Sequence, residues 1–546
     1  MKNDGAIARI TSLQGAKRRG NLDKTDKVDK MNKSKHYSKM VYIADALLLP
    51  LKHVFLILLF SIFNSPFSIL HCQDTLIISL NDAISRSITN SVDAVVAKNE
   101  YKSSYWEYRT YKAQMLPEIS VDATLPYYSK SYNSYQSEDG SYTFVKTDYS
   151  ILDAGLSISQ NIPFTGGVIS MESSLERLRQ YGENGSKDFM AVPFSVTLEQ
   201  PLSGYNHLRW LRKIETMKYK EAEQKLIADL EDVSHIAIQY YFNFLLGQIN
   251  LEIAEQNLKN SQKIYSIAEA KRKIGQISET DMLQLKVSLL KAESYMTDAK
   301  ASFDNRMFQL RSYLGISEAV ILLPVIPDLF AREIPLLHYS DVLEMAHSNN
   351  SFTQNIQRRM LEASQNVSQA KSDRWNASLF LSFGMSNQDA LLSETYNVEN
   401  WRDNQIINLG IRTPIIDWGK SKGKVKIAEA NREVVISRIE KEKIDFNQNI
   451  FLIVQNFNNQ SKQLSLAKET DEIAQQRYQT SIETFILGKI DVLNLNDAQV
   501  SKDEAKRNYM EQMFLLWSYY YQIRSLTLYD FVNNSELTIN YDAFVN

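Results

Sequence analysis

Residues 464–499 read LSLAKETDEIAQQRYQTSIETFILGKIDVLNLNDAQ, and residues 251–286 read LEIAEQNLKNSQKIYSIAEAKRKIGQISETDMLQLK. The two stretches lie 213 positions apart and align without a gap. The matching pairs are Leu251 and Leu464, Ala254 and Ala467, Gln262 and Gln475, Tyr265 and Tyr478, Gly275 and Gly488, and Ile277 and Ile490. A repeat at this distance predicts two equivalent units in one architecture.

Each copy is predicted to be a helix that reaches a glycine, turns within a few residues and continues as another helix. A second correspondence lies upstream, where Asp82 and Asn90 recur 259 positions later as Asp341 and Asn349. Each half of the chain is therefore predicted to open with a matching helix. The larger offset leaves 46 more residues in the first half between these landmarks.

The distribution of proline indicates where long helices run. Proline is absent from residues 202–323, 336–413 and 415–546, and an internal proline would break the helical hydrogen-bond ladder. The helical pattern persists from about residue 206 to residue 274, and one continuous helix of about 69 residues would be ~100 Å long. A leucine, a methionine, a phenylalanine and another leucine recur every seven residues at Leu289, Met296, Phe303 and Leu310. This spacing predicts a coiled-coil seam.

The first 72 residues are predicted to lie outside the fold. Residues 1–39 are polar, lysine-rich and without periodicity, and Met40 is an alternative initiator. Residues 54–70 read VFLILLFSIFNSPFSIL and follow two lysines, which is typical of a secretory signal peptide. A membrane anchor is the alternative, although a polar Asn-Ser-Pro sequence interrupts the run. We expect cleavage near Cys72, with lipid attachment to Cys72 as the alternative.

Alternating polar and apolar residues predict β-strands in both halves. In the first half they occupy residues 116–129 and 152–164, with a polar, tyrosine-rich exposed loop expected between them. An additional hairpin is expected at 168–202. The second half has one such pair, at 376–386 and 406–416. Each run has about ten residues, the length that a tilted strand needs to cross a bilayer.

Three of these strands end in a similar way. Their final segments run from Pro163 to Gly166, from Pro201 to Gly204 and from Pro414 to Gly419. Proline cannot donate to a β-ladder, so it marks where a strand stops. After Gly204 and Gly419 the pattern changes to helix. We interpret these segments as strand-to-helix turns.

Composition and motifs argue against several classes of function. The net charge of −3 does not indicate a nucleic-acid partner. Residues 419–424 read GKSKGK, which has three residues between its glycines and lacks the Ser or Thr of a phosphate-binding loop. The seven histidines show no zinc-binding spacing, and Cys72 is the single cysteine. We predict no enzyme, no cofactor and no metal site.

The order of these features resembles the TolC-like outer-membrane efflux proteins over about residues 75–535. The resemblance rests on the repeat, the strand-ending prolines and the segments IGQISETDMLQLKVSLLKAE and LGKIDVLNLNDAQVSKDEA. It implies an α+β membrane protein, a homotrimer whose outer-membrane β-barrel continues as a long periplasmic α-helical barrel of coiled-coil hairpins. The family contributes four strands per protomer. The additional hairpin here makes six possible, hence a barrel of 12 or 18 strands. The alternative is that the extra segment is a loop excursion at the barrel mouth.

This resemblance also implies a division of the chain. The expected parts are a leader and signal peptide (1–72), a first repeat with strands at 116–202 and a turn near 275 (73–317), a linker (318–338), a second repeat with strands at 376–416 and a turn near 488 (339–532), and a C-terminal tail (533–546).

In the resembling family, polar and acidic residues just past the two glycines close the periplasmic entrance. On this sequence those positions are Asp281, Asn494 and Asp497. The resemblance implies that Asp497 forms a ring of three carboxylates, which favours protonation or cation binding. The basic residue often found two positions after the glycine is Ile490 here, which removes one tether. The alternative is that these polar residues cap a turn.

The function implied is a passive exit duct of a tripartite efflux system in the outer membrane. Its partners would be a periplasmic adaptor protein, an inner-membrane pump of the RND or ABC type, and outer-membrane lipid. One alternative is the duct of type I protein secretion. An alternative from another class is a coiled-coil structural or interaction protein without a channel. The sequence does not identify the substrate.

Overall fold

The computed structural model describes residues 75–182, 185–327 and 335–545. The predicted leader, the signal peptide and Cys72 lie outside the described residues. Within residues 73–546 the chain forms one unit in which an antiparallel sheet is followed by long paired helices.

The sheet has six strands from both halves of the chain, in the order β2-β3-β4-β5-β7-β8. All neighbouring pairs are antiparallel. The strands are β2 (Glu118–Gln136), β3 (Tyr142–Ile162), β4 (Gly167–Gln180), β5 (Lys187–Pro201), β7 (Asn376–Asp389) and β8 (Arg402–Arg412). The additional hairpin of the first half is therefore β4–β5, and it continues the sheet. Of the two strand counts left open by the sequence, the described residues have six.

The expected loop between the first two strands is wrong. Residues 127–136 of β2 pair with residues 142–151 of β3, and only residues 137–141 form the turn. Of this extension, residues 142–148 have no pairing partner in β4, whose first pair is Tyr149 with Gln180. The ribbon reaches about 24 Å beyond β4, at ~3.4 Å per residue. The polar, tyrosine-rich sequence of these residues is as compatible with a solvated two-stranded ribbon as with a loop.

The register separates an apolar face of the sheet from a polar face. Residues directly opposite each other point to the same side. Apolar pairs are Ile119 with Ile158, Val121 with Leu156, Met171 with Val196, and Leu381 with Leu198 and Ile407. Polar pairs are Ser120 with Ser157, Glu172 with Ser195, and Thr197 with Ser382. This division is typical of a membrane β-barrel, apolar outside and polar inside.

The helices repeat almost perfectly in length. The first half has α1 (Leu80–Asn90), α2 (Val92–Ala113), α3 (His207–Lys273) and α4 (Glu279–Leu314). The second half has α5 (Tyr339–Asn349), α6 (Ser351–Ser372), α8 (Lys420–Ile486) and α9 (Val492–Thr527). The corresponding lengths are 11, 22, 67 and 36 residues in both halves. A 67-residue helix is about 100 Å long, and no proline interrupts α3 or α8.

The core lies where the two long hairpins meet the short elements. Short strands β1 (Thr75–Ile78) and β6 (Ile321–Pro324) pair in parallel beside α3. Tyr241, Phe242 and Phe457 are fully buried there. The remaining small elements are α7 (Leu392–Thr395), β9 (Tyr529–Asp530), β10 (Ser535–Glu536) and α10 (Asp542–Val545).

A buried ion cluster fastens the end of α9 to the middle of α3. Arg524 donates to Glu231 through Nε (2.8 Å to Oε2) and Nη2 (2.9 Å to Oε1), and through Nη1 to Asp530 Oδ2 (3.1 Å). Burial raises the pKa of Glu231, and Arg524 opposes that rise. The C-terminal tail packs against the helices, since the Tyr541 ring lies 5.4 Å from that of Tyr101 on α2.

The layer of helices next to the sheet follows the same order as the strands. Helix α3 packs between α2 and α6, and α6 packs against α8. The edge strands of the sheet are β2 and β8, and the outermost helices of the layer are α2 and α8. Strand β2 therefore corresponds to α2 at one edge, and β8 corresponds to α8 at the other. In the described part of the chain, no helix is both long enough and apolar enough to cross a membrane.

Candidate functional site at the hairpin tips

The tip of the first hairpin joins α3 to α4. Gly275 has φ of +74°, and the next residue, Gln276, donates its N–H to the Lys271 carbonyl over 3.0 Å. Such a left-handed residue closes a helix C-terminus. Ser278 begins α4, where its Oγ accepts the Asp281 N–H (3.1 Å) and donates to Asp281 Oδ2 (2.7 Å). Asp281 therefore takes part in a helix cap.

The tip of the second hairpin, between α8 and α9, has the same construction. Gly488 also has φ of +74°, and Lys489 N–H donates to the Thr484 carbonyl over 3.0 Å. Asp491 caps α9, because its Oδ1 accepts both the backbone N–H and the side-chain Nδ2 of Asn494 at 2.8 Å. Asn494 is thus bound to its own helix N-terminus.

Asp497, the third predicted gate residue, lies on the exposed face of α9. It forms an ion pair with Arg477 on α8, within the same hairpin. Arg477 also donates to Ser501 Oγ over 3.3 Å. Sequence patterns did not identify Arg477 as a partner of Asp497, because the two residues lie 20 positions apart, in different helices of the hairpin. Ile490, at the position of the missing basic tether, packs against the apolar cluster of the tips.

The two tips lie against one another. Apolar side chains from all four helices form the tip cluster, which comprises Ile264, Ala268, Met282, Leu285, Tyr478, Phe485, Val492, Leu495 and Ala498. Lys271 Nζ donates to the Ile486 carbonyl over 2.9 Å, which joins the end of α3 to the end of α8. The first and second repeats thus meet at their glycine turns.

Below the tips, polar side chains connect the hairpins through their interior. Asn257 on α3 donates to Asp503 on α9 over 2.6 Å. Lys506 Nζ lies 3.3 Å from Asp471 Oδ2, which joins α9 to α8. Tyr478 accepts from Asn260 Nδ2 at 3.2 Å, and burial raises the pKa of its hydroxyl. These contacts pair residues far apart in the sequence, and periodicity alone does not predict them.

The predicted strand-to-helix turns that begin at Pro201 and Pro414 lie at the other end of the long helices. The same interpretation is wrong for the segment from Pro163 to Gly166, because this segment joins β3 to β4 in a hairpin. Pro163 follows the last residue of β3, Pro201 is the last residue of β5, and Pro414 lies two residues after β8. Gly204 and Gly419 have φ of +82° and +86° before α3 and α8. Asn206, which the sequence did not single out, joins two of the turns. Its Oδ1 accepts the Arg209 N–H (3.0 Å), and its Nδ2 donates to the Pro163 carbonyl (2.9 Å).

The polar side chains at the tips hold the helices in place. Asp281 and Asn494 take part in helix caps, and Asp497 pairs with Arg477. Within residues 75–182, 185–327 and 335–545, no group of three or more His, Cys, Asp or Glu side chains is placed to hold a metal ion.

A family model described as outer membrane efflux protein matches residues 168–316 and 342–529, which together make up more than half of the chain. The chain belongs to the outer membrane efflux protein family. This outer membrane efflux protein is therefore a passive channel component of the outer membrane with a long periplasmic portion, and not an enzyme. Membership of this family excludes the alternative function of a coiled-coil structural protein without a channel. The match begins at β4, so β2 and β3 lie outside it.

Solved outer-membrane channels share the fold of this outer membrane efflux protein. The Campylobacter jejuni CmeC channel has a TM-score of 0.61 at 14% identity, over 85% of this chain and 88% of that chain. The Vibrio cholerae VceC protein has a TM-score of 0.57 at 16% identity, over 84% and 97%. The open state of the Neisseria gonorrhoeae MtrE channel has a TM-score of 0.56 at 14% identity, over 84% and 91%. No protein of curated function matches the sequence.

Proposed function

We propose that three copies of this chain close into one continuous passive duct, the outer-membrane exit of a tripartite efflux system. The observation that carries the proposal is the shared order of the two layers. The sheet ends in β2 and β8, and the helical layer below it ends in α2 and α8. A single closure operation, β8 to β2 and α8 to α2 of the next copy, would complete both layers together.

The two edge strands of the sheet have the composition that such closure requires. Every residue of β8 is exposed in the single chain, including Ile407 (79%) and Ile411 (67%). Along β2, Val121 is 72% exposed and Leu125 is 79% exposed. Unpaired apolar strand edges promote association with other chains. Barrel closure removes these edges, and lipid covers the apolar face.

Closure of three copies gives a barrel of 18 strands, six from each copy. At ~4.8 Å between strands and a tilt of about 40°, its backbone diameter is about 35 Å, compared with about 24 Å for 12 strands. Barrels of 16–18 strands leave an aqueous channel. The extra hairpin thus makes the membrane end of the duct wider than the four-strand pattern would.

The hairpin tips form the periplasmic gate of this proposal. Asp497 of each copy lies near the entrance and is held by Arg477 of its own hairpin. Asp281 and Asn494 stabilise the turns beside it as helix caps. Grooves between the hairpins around 262–292 and 475–505 would receive the periplasmic adaptor. An inner-membrane pump of the RND or ABC type would supply the energy, and its gene is expected beside those of the adaptor and this duct.

Cysteine cross-linking tests the closure, since the single native cysteine, Cys72, precedes the sheet. Pairs with one cysteine in β2 (at Ile119, Val121 or Ala123) and one in β8 (at Ile407, Leu409 or Ile411) should yield trimers linked by disulfides in outer-membrane fractions. Matched pairs between β4 and β8 are the control and should remain unlinked. Cross-links between β4 and β8 would instead show a 12-strand closure. A monomer without outer-membrane fractionation would contradict the duct itself.

A further inference from the structure

Basic side chains gather on the apolar face of the sheet, at the end remote from the helices. Arg179 on β4 lies directly opposite Lys187 on β5. Arg177 lies two residues along β4 on the same face. Lys130 and Lys146 extend the group across β2 and β3. We call Arg177, Arg179 and Lys187 the basic triplet.

The basic triplet lacks internal neutralisation. Directly opposite residues of like charge destabilise a sheet. In the described residues, none of the three forms an ion pair with a carboxylate, although Lys146 pairs with Asp148 at 3.0 Å. Two of the three side chains lie over aromatic rings. Arg179 lies over the Tyr181 ring (5.2 Å), and Lys187 over the Phe189 ring (4.6 Å).

One donor of the triplet also lacks an acceptor. The Nε of Arg177 is buried and makes no hydrogen bond within the described part of the chain. A buried donor is normally satisfied. Alternation directs Glu172 and Glu176 to the polar face, where Asp153 lies opposite Glu176. Two carboxylates share the face of the triplet: Asp148, which pairs with Lys146, and Asp389, which lies opposite Phe189. Along β4 itself, the acidic side chains thus lie on the polar face and the basic side chains on the apolar face.

The triplet also lies at a definite height along the strand. Below it on the same face are Ile169, Met171 and Leu175. Ten residues separate Ile169 from Arg179, or about 34 Å along the strand, which at a tilt of about 40° is a height of about 26 Å. The apolar band of an outer-membrane barrel is ~25 Å tall. The triplet therefore lies where the acyl chains end and the outer-leaflet headgroups begin.

We propose that the basic triplet binds phosphate-bearing lipid headgroups of the outer leaflet. Guanidinium groups match phosphate oxygens in geometry and charge. The apolar band directly below accommodates acyl chains, so a lipid fits this surface and a free anion would leave the band uncovered. The inference rests on the proposed function, because the face must be the outside of the barrel.

The test uses the full-length protein purified in mild detergent, with diphosphoryl lipid A, inorganic phosphate and phosphatidylcholine as separate probes. In the variant Arg177→Gln/Arg179→Gln/Lys187→Gln, affinity for lipid A should fall by about 100-fold, since each basic residue at an anionic lipid surface contributes roughly a factor of five. The single variant Lys187→Gln, at an exposed position, should show about a fivefold loss. The control Lys443→Gln/Lys462→Gln/Lys468→Gln removes equal charge from α8 and should keep the affinity of the unmodified protein.

The outcomes separate this inference from the proposed function. Unchanged affinity for lipid A in the triplet variant would overturn the inference. Equal competition by inorganic phosphate would overturn it too, because the surface would then be a general anion site. Cross-linked trimers and outer-membrane fractionation are scored on the same samples. If the unmodified protein fails those, the proposed function fails; if it passes them and the triplet has no effect on binding, only the lipid inference fails.

Discussion

Asn257 on α3 and Asp503 on α9 share a hydrogen bond of 2.6 Å, and both residues are almost completely buried, at 5% and 6% exposure. The bond crosses from the first hairpin to the second. It joins the two repeats below the tip cluster, as does the hydrogen bond from Asn260 to Tyr478.

Removal of this bond should destabilise the packing of the hairpins. In Asn257→Ala the buried Asp503 carboxylate loses a donor, at a cost of about 1–3 kcal/mol. Thermal unfolding followed by helical circular dichroism should show a lower transition temperature. The control Asn508→Ala changes an exposed residue of α9 and should alter stability by less than about 0.5 kcal/mol. Equal transition temperatures for the two variants would show that the bond contributes nothing.

The ion pair between Arg477 and Asp497 is predicted to hold the entrance closed. Either Asp497→Ala or Arg477→Ala should raise single-channel conductance in planar bilayers, and Asp497→Ala should also reduce block by divalent cations. Because an exposed ion pair stabilises a fold by only ~0–1 kcal/mol, folding should be unaffected. The charge exchange Arg477→Asp/Asp497→Arg should restore low conductance. Lys468→Ala, an exposed site on α8, is the control, and a conductance rise there would remove the gate assignment.

The polar face of the sheet should make the barrel prefer cations. Asp153 lies directly opposite Glu176, which places two carboxylates together on the side assigned to the channel. The variant Asp153→Asn/Glu176→Gln should lower the cation-to-anion permeability ratio by at least about twofold, measured as the reversal potential across a KCl gradient. Asp389→Asn, on the apolar face, should leave it unchanged. An unchanged ratio in the first variant would place the selectivity elsewhere.

Stability should decrease as the pH falls below the usual range of histidine. Burial of His235, whose Nε2 lies 2.7 Å from Ser518 Oγ, lowers its pKa below 6.5, and Asp232 opposes the shift. The unfolded chain then binds a proton near pH 6.5 that the folded chain does not bind, so stability is present above that pH and is lost below it. His235→Gln should show a smaller loss of transition temperature between about pH 7.5 and 5.0. His207→Gln, at an exposed site, should behave like the unmodified protein; equal pH slopes for both variants would contradict the assignment.

The glycine at each tip is required for its backbone conformation. Gly488 has φ of +74°, and a Cβ built there meets no atom within 4 Å, so any cost of Gly488→Ala comes from the backbone alone. We expect a loss of about 1–2 kcal/mol. Gly423, in the first turn of α8, has equal space around it and no positive φ. Gly423→Ala should therefore stabilise the helix by about 0.5–1 kcal/mol. Chemical denaturation should therefore show a lower free energy of unfolding for Gly488→Ala and a higher one for Gly423→Ala.

Sequence patterns predicted the parts of the fold that depend on local chemistry. Proline positions and the Gly275–Gly488 repeat predicted the two long hairpins, because helix continuation and left-handed turns are decided by one residue at a time. The same patterns did not separate a hydrated strand from a loop at residues 130–151. In this part of the chain, strand formation depends on the pairing of β2 with β3. The exposed polar residues of the two segments do not show from sequence that they pair.

At the candidate site, the sequence located the tips but not the contacts within them. Asp281 and Asn494 each lie three residues after a capping residue, a spacing that was visible in the sequence and is explained by the cap. The ion pair between Asp497 and Arg477 depends on how the two antiparallel helices of one hairpin are aligned. The hydrogen bond between Asn257 and Asp503 depends on how the two hairpins pack. Such alignments are fixed by tertiary structure.

The ribbon of β2 and β3 that stands above β4 has a practical consequence for the living cell. Residues 130–147 form no pair with β4, so an epitope or a fluorescent label inserted at the 137–141 turn leaves the sheet register intact. With the helices in the periplasm, the proposed duct places this turn at the cell surface. Surface labelling of intact bacteria at this turn would therefore count assembled channels one cell at a time, without opening the envelope.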